Sequence, residues 1–238
     1  MGLRKQLGWH LWRRKVRSRQ GVCVLHGVRL QTNHPLVTDD VAYAVYRREY
    51  EYAELGVIAG RVRPDDVILE LGCGMGFIGI VCALQLERPR IVGVEANPDL
   101  IPLLHENYEL NGVEAELIHA AASDTPGDVA IDVSGDFRYS AVGAAPAPQS
   151  VSVLGVSLAS LLAEHRPTFL MLDIEGVETR VLTPDVDLST VRAIVVEVHA
   201  NLTGNATITR MLAALFAQGF ILDLEVSSPP VLLLRRED

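Results

Sequence analysis

Cysteine is scarce in this chain, and so is any long apolar run. Its 238 residues hold three cysteines, Cys23, Cys73 and Cys82, an odd number without CxxC spacing. That excludes a disulfide framework and the usual structural zinc spacing, and leaves reduced thiols as the expectation. No uninterrupted apolar stretch reaches the roughly 18 to 20 residues of a membrane span. The first apolar residues are broken by charges, unlike a secretory leader, so a cytoplasmic protein is expected. Positive charge is thin outside the first 20 residues. Those hold Arg4, Lys5, Arg13, Arg14, Lys15, Arg17 and Arg19 with no acidic residue, so that a net charge of -9 leaves -16 for the rest. Nucleic-acid surfaces neutralise phosphates with clustered Lys and Arg, which this acidic body lacks, so no nucleic-acid partner is expected. The basic segment also carries Leu7, Trp9, Leu11 and Trp12. It is suited to weak contact with an anionic membrane surface or an acidic ligand, against the plainer reading of a solvated arm.

What is present is apolar residue in quantity. At 49% hydrophobic and 21% charged, the chain can bury one large core, and a single domain is expected. Residues 1–55 read as a basic extension with a lead-in helix, and 56–238 as the domain. From residue 64 onward, short β-branched runs alternate with stretches of helical spacing, the mark of an α/β sheet. Val67 to Leu71, Arg90 to Glu95, Ala115 to His119, Thr168 to Asp173 and Val191 to Val198 read as strands. Phe77 to Leu86, a segment starting at Pro98, Leu158 to His165, Val177 to Leu182 and Ile208 to Gln218 read as helices. The fold expected is Rossmann-like: a seven-stranded, mostly parallel sheet with helices on both faces. Its end is a C-terminal antiparallel hairpin formed by Phe220 to Val226 and Val231 to Leu234. Residues 124–150, rich in Gly and Pro, read as an inserted loop or hairpin, with Val151 to Val156 able to pair within it.

Glu70-Leu71-Gly72-Cys73-Gly74-Met75-Gly76 lies between a strand and a helix, where a ligand meets the carboxyl end of such a sheet. Glycines let the backbone approach a ligand, and the helix N-terminus offers free N–H groups to a carboxylate. The next strand ends in Glu95, placed to accept both ribose hydroxyls of a nucleoside, with Ala96 and Asn97 following. A dinucleotide fingerprint would put its third glycine where Phe77 stands, although Gly79 is near. The spacing instead resembles the first motif of S-adenosylmethionine (SAM) methyltransferases, which implies SAM as cofactor, with Glu70 favouring the sulfonium. After the third strand, Ala121-Ala122-Ser123-Asp124 falls where that class wraps adenine. Small residues permit a flat ring to stack, and Ser123 or Asp124 could bond its amino group; the plainer reading is a small-residue turn.

At Leu172-Asp173-Ile174-Glu175-Gly176-Val177-Glu178 the chain resembles the FkbM family of methyltransferases, which carry a D-x-E-G-x-E signature after the fourth strand. Tyr50-Glu51-Tyr52-Ala53-Glu54, Glu95-Ala96-Asn97-Pro98, Asn111-Gly112 and Glu197-Val198-His199 extend the resemblance over about residues 48–200. It implies methyl transfer from SAM, typically to hydroxyl oxygens of sugars, polyketides and other secondary metabolites. Two departures stand out: many members have Asp-x-Gly-Ala-Asn where Glu70-Leu71-Gly72-Cys73-Gly74 stands here, and Leu158 is followed by Ala159 rather than an acid.

Asp173 emerges at the carboxyl edge of the sheet, and Glu197 and His199 emerge on one face of the adjacent strand because they are two residues apart. A hydroxyl acceptor must lose its proton as the methyl transfers, so His199 or a carboxylate can act as base. Alternatively, Asp173 and Glu197 could hold Mg2+, which lowers the acceptor's pKa. Glu175 and Glu178 equally suit the N-terminus of the next helix, and His105, His119 and His165 read as structural or surface groups. Glu51 and Glu54 are expected on one helix face, with Glu54 on the cofactor side. The expected function is therefore O-methylation of a small-molecule acceptor. N-methylation of an amine and a non-catalytic SAM-binding module are the alternatives. The Asn/Asp-Pro-Pro-Tyr signature of base N-methyltransferases is absent at the fourth strand.

Overall fold

The computed structural model describes residues 21–86, 89–124, 127–133 and 150–237. The basic segment 1–20 and the tip of the insertion lie outside the described residues, and so do the readings that fall on them. The described chain opens with β1 (Val22–Leu25) and β2 (Val28–Gln31), an antiparallel hairpin in which Leu25 pairs with Val28. Its two-residue turn, His26 and Gly27, has positive φ at both positions (48° and 89°), the twist that two-residue hairpins require. Then α1 (Asp39–Arg47) starts at Thr38, whose hydroxyl accepts from Val41 N, and carries Asp39 and Asp40 in its first turn. The lead-in helix is α2 (Tyr52–Ile58). Glu51 is its cap, at φ 46°, and so stands just outside the helix that carries Glu54.

The sheet follows with β3 (Val67–Leu71), α3 (Phe77–Gln85), β4 (Arg90–Glu95), α4 (Ile101–Leu110) and β5 (Glu116–His119). Helix α4 begins at Ile101 rather than at Pro98; Pro98 lies in the preceding turn, and Pro102 occupies the first helical turn. The insertion is a hairpin, β7 (Gly127–Asp132) against β8 (Ser150–Val156), with β6 (Ala121–Ala122) on the other edge of β8. The chain returns through α5 (Leu158–His165), β9 (Phe169–Leu172), α6 (Glu178–Val181), β10 (Ala193–Glu197), α7 (Ala200–Thr203) and α8 (Asn205–Ala217). It closes with β11 (Ile221–Leu222) and β12 (Val231–Arg235).

The main sheet has seven strands in the order β11-β12-β10-β9-β3-β4-β5, with β12 antiparallel to both its neighbours and β10-β9-β3-β4-β5 parallel throughout. Both faces of the central strands are covered. Ile68, Phe169, Met171 and Val195 face one core, while Leu69, Leu71, Leu170, Leu172, Ile194 and Val196 face the other. That alternation explains why these strands read as continuous apolar runs. The hairpin and first two helices contribute Leu25, Leu30, Val41, Val45, Val57 and Ile58 to the first core, so the boundary expected at residue 55 falls inside α2 and inside one packed layer. After β5 the chain crosses back to place β9 beside β3. The carboxyl ends of β3 and β9 therefore flank the switch point where open α/β sheets bind ligands. Among the described residues no helix is long and apolar enough to cross a membrane.

Candidate active site

A cavity opens at that switch point. It is lined by Gly72 and Gly74 from the loop after β3, by Val94, Glu95 and Ala96 at the end of β4, and by Leu100, Ala120 and Ala122 along one wall. Tyr50 and Glu51 come from the lead-in segment, and Asp173, Ile174 and Glu175 from the loop after β9. Gly72 has φ 84°, and a Cβ there would overlap the Asp173 carbonyl oxygen and lie 2.9 Å from its carbon. The loops after β3 and β9 thus touch backbone to backbone, which only glycine permits. Gly76 plays a different part: it caps α3, and a Cβ there would press on Leu104 and Tyr108 at 2.6 and 2.8 Å.

Glu95 is 6% exposed and its carboxylate is held from three sides. Oε2 accepts from Cys73 N and Gly74 N, each at 3.1 Å, and Oε1 accepts from Asn97 N at 2.8 Å. Burial nevertheless wins, and the carboxyl is pushed above the ordinary glutamate range. Cys73 contributes its N–H while its thiol is buried beneath the loop. Asn97 is also buried, and its Oδ1 accepts from Asp99 N, so it shapes the turn rather than the cavity.

The sequence-expected cofactor residues therefore divide. Gly72, Gly74, Glu95, Ala96, Ala122 and Asp173 line the cavity, while Glu70, Cys73, Gly76, Asn97 and Ala121 stand behind it. Ala120 takes the place expected for Ala121: residues two apart face one way in an extended segment, and the parity differs by one. Asp124 is committed to an ion pair with Arg180, and Ser123 is buried, so neither is on the cavity wall as an adenine contact would be. Glu70 departs most. Its carboxyl is 4% exposed, and burial raises its pKa to about 8 against the Gly79 N–H that opposes the shift. Near pH 7 it therefore carries a proton and offers no negative charge to a sulfonium.

Two further cavities adjoin the first. The inner one is lined by Glu51, Glu54, Glu70, Asp173 and Glu197 among apolar residues, and the outer by Glu49, Glu51, Glu54, Asp173, Glu175, Glu197 and His199 with Tyr50, Tyr52 and Leu202. The structure thus brings Asp173, Glu197 and His199 to one cleft, with Glu54 on this side rather than on the cavity with Glu95. His199 Nδ1 lies 3.1 Å from Glu178 Oε1, and Nε2 lies 3.4 Å from Glu175 and 3.6 Å from Asp173. Glu178 is wholly buried, and the same Oε1 accepts from Ile174 N and Gly176 N at 3.0 and 3.2 Å. One carboxylate therefore shapes the D-x-E-G-x-E turn and orients the imidazole. Its Nδ1 contact was invisible in the sequence, because Glu178 and His199 are 21 residues apart.

Burial pulls the His199 pKa down, but the hydrogen bond to Glu178 and the charges of Glu178, Glu175 and Asp173 outweigh it and raise the value to about 9. At neutral pH the ring is an imidazolium, and proton acceptance passes to the carboxylates. Glu197 is raised to about 7, by burial first and then by the charge of Glu54. Asp173 is raised by crowding from protein atoms and then by Glu197; its side chain is still 46% exposed to the cleft, so water limits that rise. The described ligand atoms close enough to share a metal belong to Asp173, Glu178 and His199, within 4.8 Å of one another, and Glu197 is not among them. With the ring protonated and Glu178 Oε1 already taking three contacts, this set fits Mg2+ poorly.

Replacing Glu178 with glutamine tests this arrangement. The His199 titration, followed by NMR of its ring protons, is expected to move from about 9 toward the ordinary 6.5. A raised histidine pKa stabilises the fold fully below about 6.5, and that contribution is lost as pH rises through about 9. The variant's stability deficit should accordingly shrink between those limits; an unmoved titration would show that Glu178 does not act on the ring.

This sheet order and ligand crevice define the class I SAM-dependent methyltransferase fold. A candidate SAM-dependent methyltransferase from Streptococcus mutans superimposes with a TM-score of 0.50 at 10% identity, covering 90% of this chain and 55% of that one. Residues 32–136, under half of the chain, match the family described as the TRM5/TYW2 methyltransferase domain. Ribosomal protein L11 methyltransferase of Aeromonas salmonicida is 38% identical over 66 residues, 28% of this chain and 22% of that protein. The Geobacter metallireducens enzyme of the same name is 34% identical over 64 residues, 27% and 21% respectively. The chain spans about a fifth of the length of these curated relatives.

Proposed function

We propose that this protein is a SAM-dependent methyltransferase whose acceptor occupies the acidic cleft beside Asp173. One observation carries the reading: a buried carboxylate, Glu95, is clamped by the N–H groups of Cys73 and Gly74 on the wall of a cavity that opens onto Asp173. Gly72, Gly74, Glu95, Ala96 and Ala122 would hold SAM, with Tyr50 and Glu51 closing the other side. When bound, SAM supplies a methyl group made electrophilic by its sulfonium. Asp173 lines all three cavities and so stands between donor and acceptor. It and Glu197 are the groups poised to take the acceptor's proton, while the His199 imidazolium holds the carboxylates in register.

Transfer to a small-molecule hydroxyl rests on the FkbM resemblance of the 173–178 turn. Transfer to an amine is favoured by a specific feature, the carboxylates of the cleft. The relatives named for ribosomal protein L11 share too little of the chain to bring their substrate with them. Isothermal titration with SAM tests the donor half, and absence of heat at millimolar SAM would sink it. With labelled SAM and a metabolite extract, Asp173→Ala should lower transfer by about a hundredfold or more, in the range of a lost proton acceptor. SAM affinity should change by less; equal losses would reduce Asp173 to a cofactor contact.

A further inference from the structure

The cofactor loop is held from behind as well as from the cavity. Asn107, on α4, is wholly buried, and its side-chain amide is engaged at both ends: Oδ1 accepts from Gln31 N at 2.7 Å, and Nδ2 donates to Met75 O at 2.8 Å. These partners fix the way the amide faces, since a backbone N–H only donates and a carbonyl only accepts. Gln31 lies on β2, which pairs with β1 alone among the described strands. Two residues earlier, Arg29 N and O are both bonded to the side chain of Asn111, one helical turn beyond Asn107, at 2.8 Å each. The two asparagines thus stand in for a neighbouring strand and fasten the N-terminal hairpin to α4. Of the two, Asn107 alone reaches on into the glycine loop. No residue of the hairpin lines any of the three cavities around Asp173.

We propose that Asn107 is a positioning residue for the donor site, acting on the Glu95 clamp through the Met75–Gly76 peptide. That peptide is gripped at both ends: Asn107 holds its carbonyl, and its N–H donates to Cys73 O at 2.7 Å. Cys73 in turn gives its own N–H to Glu95, as Gly74 does. Gly76 sits at φ 79°, and a peptide flanked by glycine meets little resistance to turning over. Once the Met75 carbonyl is released, it is a buried acceptor without a donor, and rotation of the peptide is the way to find one. Rotation carries the Gly76 N–H off Cys73 O, opens the turn and draws the Cys73 and Gly74 N–H groups away from the carboxylate. Both bonds of residue 107 require a neutral amide. An aspartate keeps the acceptor for Gln31 but has no donor for Met75, and it sets an oxygen against the carbonyl. The effect on SAM rests on the methyltransferase reading; the effect on the loop stands without a ligand.

Two-dimensional NMR of the full chain without SAM reads the loop directly, through the amide signals of Cys73 and Gly74. In Asn107→Asp both proton signals are expected to move upfield, as weakened hydrogen bonds do, and SAM affinity measured by calorimetry is expected to fall about tenfold or more. Asn111→Ala severs the hairpin's other attachment and is the control. It should lower the urea midpoint while leaving both amide signals and the SAM affinity as in the wild type. Asn107→Ser, neutral and smaller, serves if the aspartate variant does not fold. Wild-type amide positions in a folded Asn107 variant would overturn the proposal, and so would displaced amides with undiminished SAM affinity or an equal displacement in Asn111→Ala. Collapse of both Asn107 variants would assign the residue to folding alone and overturn it too. A wild type that binds no SAM defeats the methyltransferase reading instead, and the two amide signals still decide whether Asn107 positions the loop.

Discussion

Replacing Gly72 with alanine is expected to destabilise the protein by about 3 kcal/mol or more and to remove measurable SAM binding, whereas the same change at Gly112 costs about 1 kcal/mol. The two glycines share a left-handed backbone, φ 84° and 64°, so the conformational penalty of an L side chain is similar at both. They differ in space. A Cβ at Gly112 meets nothing within 4 Å, whereas at Gly72 it would overlap the Asp173 carbonyl. Neither partner at Gly72 is free to retreat: Gly72 N bonds to Val94 O at 2.9 Å, and Asp173 N bonds to Leu71 O at 3.0 Å. Relief must break hydrogen bonds at the end of the central strands, at about 1 kcal/mol each, and separate the two loops that frame the cavity. Urea unfolding of both variants, with SAM titration of each, measures this. Matching midpoints for Gly72→Ala and Gly112→Ala would show that the loops are not pressed together.

How far the sequence could be read follows from where each residue's neighbours come from. Strands β3, β4, β9 and β10 were legible because both their faces are buried, and continuous runs such as Val67 to Leu71 have few other uses. The glycine loop and Glu95 were legible because their chemistry is local: a turn, a helix start and the end of the next strand. The β1–β2 hairpin and α1 were missed although their signals are present, apolar alternation around His26-Gly27 and the Thr38 cap before Asp39-Asp40. The basic residues before them drew the whole segment into one extension. Contacts across the sheet were out of reach. Nothing near Glu70 foretells that it lies under α3 with a proton on it, and nothing near Glu178 foretells that it holds His199. His199 was read as a base from its intrinsic pKa, and it is the surrounding carboxylates, distant in sequence, that make it a cation.

Glu95→Gln should weaken SAM binding by about tenfold to a hundredfold, the cost of one or two charge-assisted hydrogen bonds. The loss arises whichever way the amide is turned. Oε2 of the native carboxylate receives two N–H donors, from Cys73 and Gly74, and Oε1 receives a third from Asn97. A glutamine must set its own N–H2 against one of those donors, so one side of the clamp is repelled and the loop wall shifts. The pH dependence separates this role from a structural one. Burial raises the Glu95 pKa, so the neutral form suits the fold better. That stabilising contribution is full below the unfolded value near 4.5 and is lost as pH rises through the higher folded value. Ribose recognition needs the carboxylate and runs the other way. Lowering the pH through that range should therefore weaken SAM binding in the wild type even as this group's share of stability grows, and Glu95→Gln should flatten both trends. Titration calorimetry and urea unfolding at matched pH give the two curves, and a wild-type affinity that rises on acidification would refute ribose recognition by Glu95.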